Sequence, residues 1–443
     1  MMISLNFAAS ISLGALLLAV SVPQPGYSQD YGLDALQAAA ESGDSNAQLK
    51  FGEALVYGIA GIEQDVVYGV RLLEYAALDG NIKAKASLGK ILVEGYYVPS
   101  DWEKGEQLLQ DASDGGIVEA QITLASALLW GLYGDADPAR ARALLDKAVA
   151  RNSTEAMSVL GELLVGGYVL DQDVKTGQAM LEKAAAAGDA KAQVSLGSFL
   201  LYGTDLNKDI PRATELFEEA AAFGNGEGLE RLGTTLMWAT GNSALAEDYL
   251  RRAGELGRGS AWGTLAEGAM YGYLGRGSRG KFDGFAKRAR DAGQDRVAVL
   301  EANRKLWGIS MRASGPEAIE GLQQAAEAGN AEAAKFLIGL VRSGNRYNVR
   351  KEPRRARGFL EQYSDLLAPT EVAQLSLSID AATARTIPEY KALAAEYYSR
   401  PELKSSWMGQ ELFSANPNFA VYLLQTNMKR NAVYSGSLNG FVT

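Results

Sequence analysis

The chain has 443 residues, 47% of them hydrophobic and 22% charged, enough apolar surface for a large folded body and not the polar bias of a disordered protein. Its 53 acidic and 43 basic residues leave a formal charge of -10, which disfavours general attraction to nucleic acid and restricts any polyanion-binding face to a local patch. Cysteine and histidine are both absent, which removes disulfides, thiol nucleophiles, a lipid-modified Cys, Ser-His triads and the common zinc sites.

Residues 1–28 read as a secretory signal peptide. An apolar core runs from Ile11 to Val22, Pro23 and Pro25 break it, and Gly26-Tyr27-Ser28 places small residues for cleavage before Gln29. The segment before the core has no Lys or Arg, and Ile3 to Val22 approaches spanning length, so an uncleaved inner-membrane anchor is the alternative. Either way the expected location is the periplasm, and the missing Cys argues against a lipoprotein.

A repeat of about 36 residues follows. Small or apolar anchors stand at Ala47, Ala84, Ala120, Ala156, Ala192, Gly228, Ala261, Val297 and Ala333. Four residues on comes a large apolar side chain (Phe51, Leu88, Leu124, Leu160, Leu196, Leu232, Leu265, Leu337), with Glu301 as the exception. The next position is small, as at Gly52, Gly89 and Gly161, and eleven after the anchor a glycine recurs from Gly58 to Gly344, replaced by Ala239 in the sixth unit. Apolar residues at i, i+4 and i+8 mark one helix face, and the closing glycine suits a left-handed C-cap. The small residue inside the helix allows close approach of a neighbour, which offsets the roughly 1 kcal/mol that glycine costs there.

Asp65, Asp101, Asp137, Asp173 and Asp209 announce a second helix in the first five units, because an aspartate there can accept from free first-turn amides. Leu73, Leu109, Leu145, Leu181 and Phe217 lie eight residues further, and Ala76, Ala112, Ala148, Ala184 and Ala220 eleven further. A lone helical hairpin cannot bury its apolar faces, so neighbouring units must stack. The expected fold is all-α, a right-handed superhelical solenoid of about nine helix-turn-helix repeats over 29–364, with a helical capping region over 365–418.

The pattern Ala47-x3-Phe51-Gly52-x5-Gly58 with Asp65 and Ala76-Ala77-x2-Gly80, repeated as Ala192-x3-Leu196-Gly197-x5-Gly203 with Asp209 and Ala220-Ala221-x2-Gly224, resembles Sel1-like repeats, relatives of tetratricopeptide repeats. The resemblance implies an adaptor. Exported proteins of this kind are similar in architecture to the scaffold of alginate secretion and to periplasmic regulators of exopolysaccharide synthesis.

Beyond residue 365 the period is lost, and Pro388, Pro401 and Pro417 cut the chain into short pieces, with helices expected over Leu366–Ala382 and Pro388–Ser399. The segment 419–443 carries Leu424-Gln425-x2-Met428-x5-Tyr434-x-Gly436-x2-Asn439-Gly440-x2-Thr443, which resembles the first half of a peptidoglycan-binding-like module. Some polar localisation factors combine such repeats with such a module, so that role stays open.

Two surfaces stand out. Ten residues after the anchor come Tyr57, Trp130, Tyr202, Trp238, Tyr271 and Trp307, an aromatic ladder that either grips a partner or wedges between units as packing. Arg342, Arg346, Arg350, Lys351, Arg354, Arg355 and Arg357 gather positive charge around the single acid Glu352, suiting an anionic polysaccharide or acidic partner, or forming a solvated face.

Acidic pairs such as Glu218-Glu219 do not face one another along a helix, and a strandless repeat supplies no strand-to-helix glycine turn for a dinucleotide, so no enzyme, metal or cofactor is expected. The expected role is a periplasmic protein–protein interaction scaffold for an exopolysaccharide complex, with envelope proteins as partners and no nucleic acid. The alternatives are a regulatory partner of a membrane sensor, a polar localisation factor, or a protein that binds polysaccharide or peptidoglycan.

Overall fold

The computed structural model describes residues 32–59, 61–131, 135–275 and 277–441. The expected signal peptide and Thr443 of the tail pattern lie outside them. Among the described residues there are 23 α-helices and no strand, and the fold is an all-α repeat solenoid. It divides into two compact units, one ending at Asp173 and one beginning at Val174. No helix among the described residues is long and apolar enough to cross a membrane.

In the first unit α1 (Leu33–Glu41) precedes α2 (Ser45–Tyr57), α3 (Val66–Leu78), α4 (Ile82–Glu94), α5 (Trp102–Asp114), α6 (Val118–Trp130), α7 (Pro138–Ala150) and α8 (Thr154–Gly166). Even-numbered helices here are the first helices of the repeats and odd-numbered ones the second. The Asp65, Asp101 and Asp137 carboxylates accept from the amides of Tyr68, Lys104 and Arg140 at 3.0, 3.1 and 2.9 Å, as their spacing predicts. Three of the four first helices are capped as well, a feature the sequence analysis did not identify, while α6, entered from Ile117, has no side-chain cap. Asp44, Asn81 and Ser153 accept from the N–H of the anchors Ala47, Ala84 and Ala156 three residues on.

The small residue within each first helix has a counterpart in the second. A Cβ on Gly52 would lie 2.9 Å from the carbonyl oxygen of Gly69, and one on Gly69 would lie 2.7 Å from that of Gly52. Gly89 and Gly105 meet in the same way. The two backbones touch at this crossing, which brings Leu73 and Leu109 into full burial beside Leu88 and Ile91. A buried amide adds a polar tie, since Gln48 and Gln121 donate to the carbonyls of Ala40 and Ser113 at 3.3 and 3.2 Å.

The second unit continues with α9 (Val174–Ala186), α10 (Ala190–Tyr202), α11 (Ile210–Ala222), α12 (Gly226–Thr235), α13 (Ser243–Glu255), α14 (Gly259–Tyr271) and α15 (Phe282–Asp291). Then come α16 (Arg296–Trp307), α17 (Gly315–Glu327), α18 (Ala331–Ser343) and α19 (Pro353–Tyr363). Two irregular units have local causes. Where Ala239 replaces the turn glycine, the helix runs on through a π turn, Leu236–Thr240, until Gly241 takes the left-handed conformation at φ +72°. At Glu301, α16 buries Val297 and Leu300 instead, and the Glu301 carboxylate turns out to Arg290.

Four helices close the chain: α20 (Pro369–Thr383), α21 (Ile387–Ser399), α22 (Ser406–Ala415) and α23 (Pro417–Arg430). The expected helices over 366–382 and 388–399 are therefore present within a few residues. Helix α20 takes the place of a further first helix, with Glu371 bonded to Lys335 and Ser378 to Arg342, each pair 36 residues apart. Phe419, Tyr422 and Leu423 of α23 share one core with Tyr390 of α21 and Met408 and Leu412 of α22. The boundary drawn between 418 and 419 falls inside α23.

Candidate interaction face

Tyr57, Trp130, Tyr202, Tyr271 and Trp307 each end a first helix, just before the glycine that closes it, whereas Trp238 lies within the π turn that Gly241 closes. Tyr57 and Trp130 are half-buried, whereas Tyr202, Trp238, Tyr271 and Trp307 are 50, 42, 43 and 53% exposed. None of the six belongs to the fully buried core formed by residues such as Leu124, Leu160 and Leu265.

The rings do not stand alone. Tyr57 meets Tyr97 edge to face at 5.4 Å, Trp238 meets Tyr273 at 4.4 Å, and Trp307 meets Tyr347 at 5.5 Å between ring centroids. Each partner lies in the loop after the following first helix, so every pair joins one repeat to the next. Tyr271 adds to the Trp238–Tyr273 pair at 6.2 Å from Tyr273. This second row of rings was missed in the sequence because it lies in the loops and its place shifts by one or two residues from repeat to repeat. The fourth unit, with Gly166 at the ladder position, follows the same logic. The Tyr168 ring lies where a Gly166 side chain would project, so an aromatic ring covers that place too.

Near Tyr57 the surface is acidic: burial first, then the charges of Glu53, Glu94 and Glu119, push the tyrosine's pKa up. Burial likewise raises Glu53 and Glu94 above the usual carboxylate range. Burial works against the Lys90 ammonium, but the Glu119 carboxylate, 3.0 Å away, with Glu94 and Glu155 outweighs it and raises its pKa.

The seven basic residues of 342–357 are not one surface. Arg342 is 1% exposed, and its guanidinium is held by Glu411 and by Ser378 Oγ at 2.8 Å, so it cannot meet a polyanion. Arg357 is committed to Asp380 and Ser376, both at 2.6 Å. Arg355 lies 3.7 Å from Glu352 and over the Phe359 ring. Arg346, Arg350, Lys351 and Arg354 are exposed. Both losses come from residues of the terminal helices, which the repeat pattern did not reveal.

In the tail, Gln425 is 6% exposed and binds the final turn from both ends of its amide. Its Oε1 accepts from the N–H of Asn439 and Gly440 at 3.1 and 2.9 Å, and its Nε2 donates to the Phe441 carbonyl at 2.8 Å. The Leu-Gln and Asn-Gly elements singled out in the sequence are thus in contact, with Leu424 exposed.

Comparison with known proteins places these repeats. The family model for the Sel1 repeat matches residues 45–81, 118–153, 154–189 and 190–225. A solved protective antigen of uropathogenic Escherichia coli strains, described as displaying an SLR fold, is 20% identical, covering 91% of this chain and 90% of that one at a TM-score of 0.42. A Sel1 repeat protein from Oxalobacter formigenes is 22% identical over 59% of this chain and 100% of that one, TM-score 0.44. An immunity protein from Pseudomonas aeruginosa is 21% identical over 43% and 70%, TM-score 0.34. No curated protein matches the chain. Sel1 repeats are protein–protein interaction scaffolds, typically without catalytic activity. The chain therefore carries four Sel1 repeats, at residues 45–81, 118–153, 154–189 and 190–225, and helix pairs in the same register continue past the last of them.

Proposed function

We propose that this protein is a periplasmic interaction scaffold that assists assembly of an exopolysaccharide biosynthesis or secretion complex of the alginate type. The observation that carries the binding role is the row of part-exposed rings at one register position of successive first helices, from Tyr202 to Trp307. Of these, Trp238 and Trp307 are braced edge to face by a ring of the next repeat, which keeps their apolar area available and leaves them little freedom to lose on binding. The export reading is supported by the apolar segment from Ile11 to Val22 and the small residues before Gln29.

A photoreactive phenylalanine analogue placed at Trp238 tests this in cells that make the polymer. The expected result is covalent capture of an envelope protein from the periplasmic fraction, absent when the probe sits at Glu218 on a second helix. Retention of purified polysaccharide or peptidoglycan with no protein captured would favour the glycan-binding reading, which the exposed Trp rings also suit. Fractionation of the chain with the cytoplasm would reject the location. A sensor kinase encoded beside the gene, in place of a polysaccharide synthase, would favour the regulatory alternative, and a polar focus of the tagged protein the localisation factor.

A further inference from the structure

Three turns of the chain converge after the last repeat. The turn into α19 brings Lys351 and the first turn of α19 brings Arg354 and Arg355, the turn after α20 brings Arg385, and the turn between α22 and α23 forms the facing wall. They enclose an open groove of about 1020 Å³, far larger than one inorganic anion needs. Among the lining residues four cations face one acid, Glu352, which lies 3.7 Å from Arg355, and outside the lining the Glu389 carboxylate accepts the Arg385 backbone N–H at 2.7 Å. The Lys351 ammonium is fixed by the Ala415 carbonyl at 3.1 Å, and burial, then repulsion from Arg342 and Arg385, lowers its pKa. The N-terminus of α19 opens here without a side-chain cap, which adds positive potential.

We propose that this groove binds a short acidic peptide segment, whose carboxylates are taken by Lys351, Arg354 and Arg385. Charge selects the sign of the ligand, and the walls select its class. The groove is walled by Pro353, Pro417 and small alanines, and its one aromatic residue, Tyr390, is 5% exposed, packed against Phe419 and Tyr422. No ring face is offered on which a sugar could stack, whereas an extended peptide fits a small-residue trough with cations along one side. The inference shares with the scaffold reading only that the partner is a protein, and it is independent of the ladder.

The test is fluorescence anisotropy of a labelled Asp/Glu-rich hexapeptide on the full chain. Binding should weaken with added salt, and the double variant Arg354→Ser/Arg385→Ser should weaken it about tenfold or more, about 1.4 kcal/mol. Arg346→Gln, exposed outside the groove, should leave it unchanged. Inorganic phosphate and an oligouronate should compete poorly. Equal binding of a Gln-rich peptide, an unaffected double variant, or tight oligouronate binding without peptide binding would each overturn the proposal. Photo-capture at Trp238 reads the ladder separately, so either result stands without the other.

Discussion

Arg342 and Glu411, 69 residues apart, form an ion pair where the last repeat meets the terminal helices. The Arg342 side chain is 2% exposed and that of Glu411 22%. Because Arg342 also donates to Ser378 Oγ, one guanidinium ties α18, α20 and α22 together. In the repeats, adhesion between neighbours is apolar and repeats every 36 residues. At the end of the array the apolar core continues into α20 through Leu375 and Ile379, and this buried ion pair is added to it.

Removing one side of that pair strands a charge. Glu411→Ala should destabilise the terminal helices by about 2 kcal/mol, below the ~3–5 kcal/mol of a fully buried pair because Glu411 keeps some solvent. The double variant Arg342→Met/Glu411→Leu should recover most of the loss. Urea unfolding followed by Trp407 fluorescence, with limited proteolysis near α22, measures both. A Glu411→Ala chain as resistant as the wild type would show the pair to be incidental.

The Gly52–Gly69 crossing makes a second expectation. A Cβ on Gly69 would meet two backbone atoms, Gly52 O at 2.7 Å and Val56 N at 2.9 Å, which cannot turn aside as a side chain can. Gly69→Ala should therefore cost ~1–3 kcal/mol through overpacking, exceeding the ~1 kcal/mol that alanine gains in helix propensity. Gly358 in α19 has nothing within 4 Å of its Cβ position, and Gly358→Ala should stabilise by ~0.5–1 kcal/mol. Thermal melts of the two variants should move in opposite directions.

The repeat was legible because its determinants are local: a capping aspartate, a closing glycine and apolar residues one helical turn apart. Half of the glycine contact was visible at Gly52 and Gly89, but Gly69 and Gly105 share their register position with Ala141, which hides it. The ladder's positions were legible and its exposure was not, since exposure depends on Tyr97, Tyr273 and Tyr347 in loops of unequal length. Arg342 looked like its basic neighbours because the residues that bury it, Ser378 and Glu411, lie in a region without period.

Glu371 predicts a pH effect. Burial raises its pKa, but hydrogen bonds from Lys335 at 2.9 Å and from the Ala368 N–H at 3.1 Å, with the Lys335 charge, outweigh it and hold the carboxyl below its ordinary value. A depressed folded-state pKa means stabilisation that is present above the unfolded value of about 4.3 and lost as pH falls through the folded one. Glu371→Gln should be less stable than wild type at neutral pH by ~1 kcal/mol or less, and the two should converge on acidification. Urea midpoints across that range check the sign. A gap that widens at low pH would contradict it.

Trp307 separates packing from binding. At 53% exposure, with its edge-to-face contact to Tyr347, its replacement by Ala should cost ~0.5–1.5 kcal/mol, well short of the ~3–5 kcal/mol of a core tryptophan. Leu265→Ala, at 0% exposure, should cost ~2–5 kcal/mol and serves as the packing reference. If the ladder binds, Trp307→Ala and Trp238→Ala lose the captured partner while melting close to the wild type, and Leu265→Ala lowers the melting temperature far more. The same comparison at Trp238 tests the π turn, because a part-exposed ring set against Tyr273 should leave Leu236–Thr240 intact when removed. A fall in stability matching that of Leu265→Ala, with partner capture kept, would make the ladder a packing device between repeats.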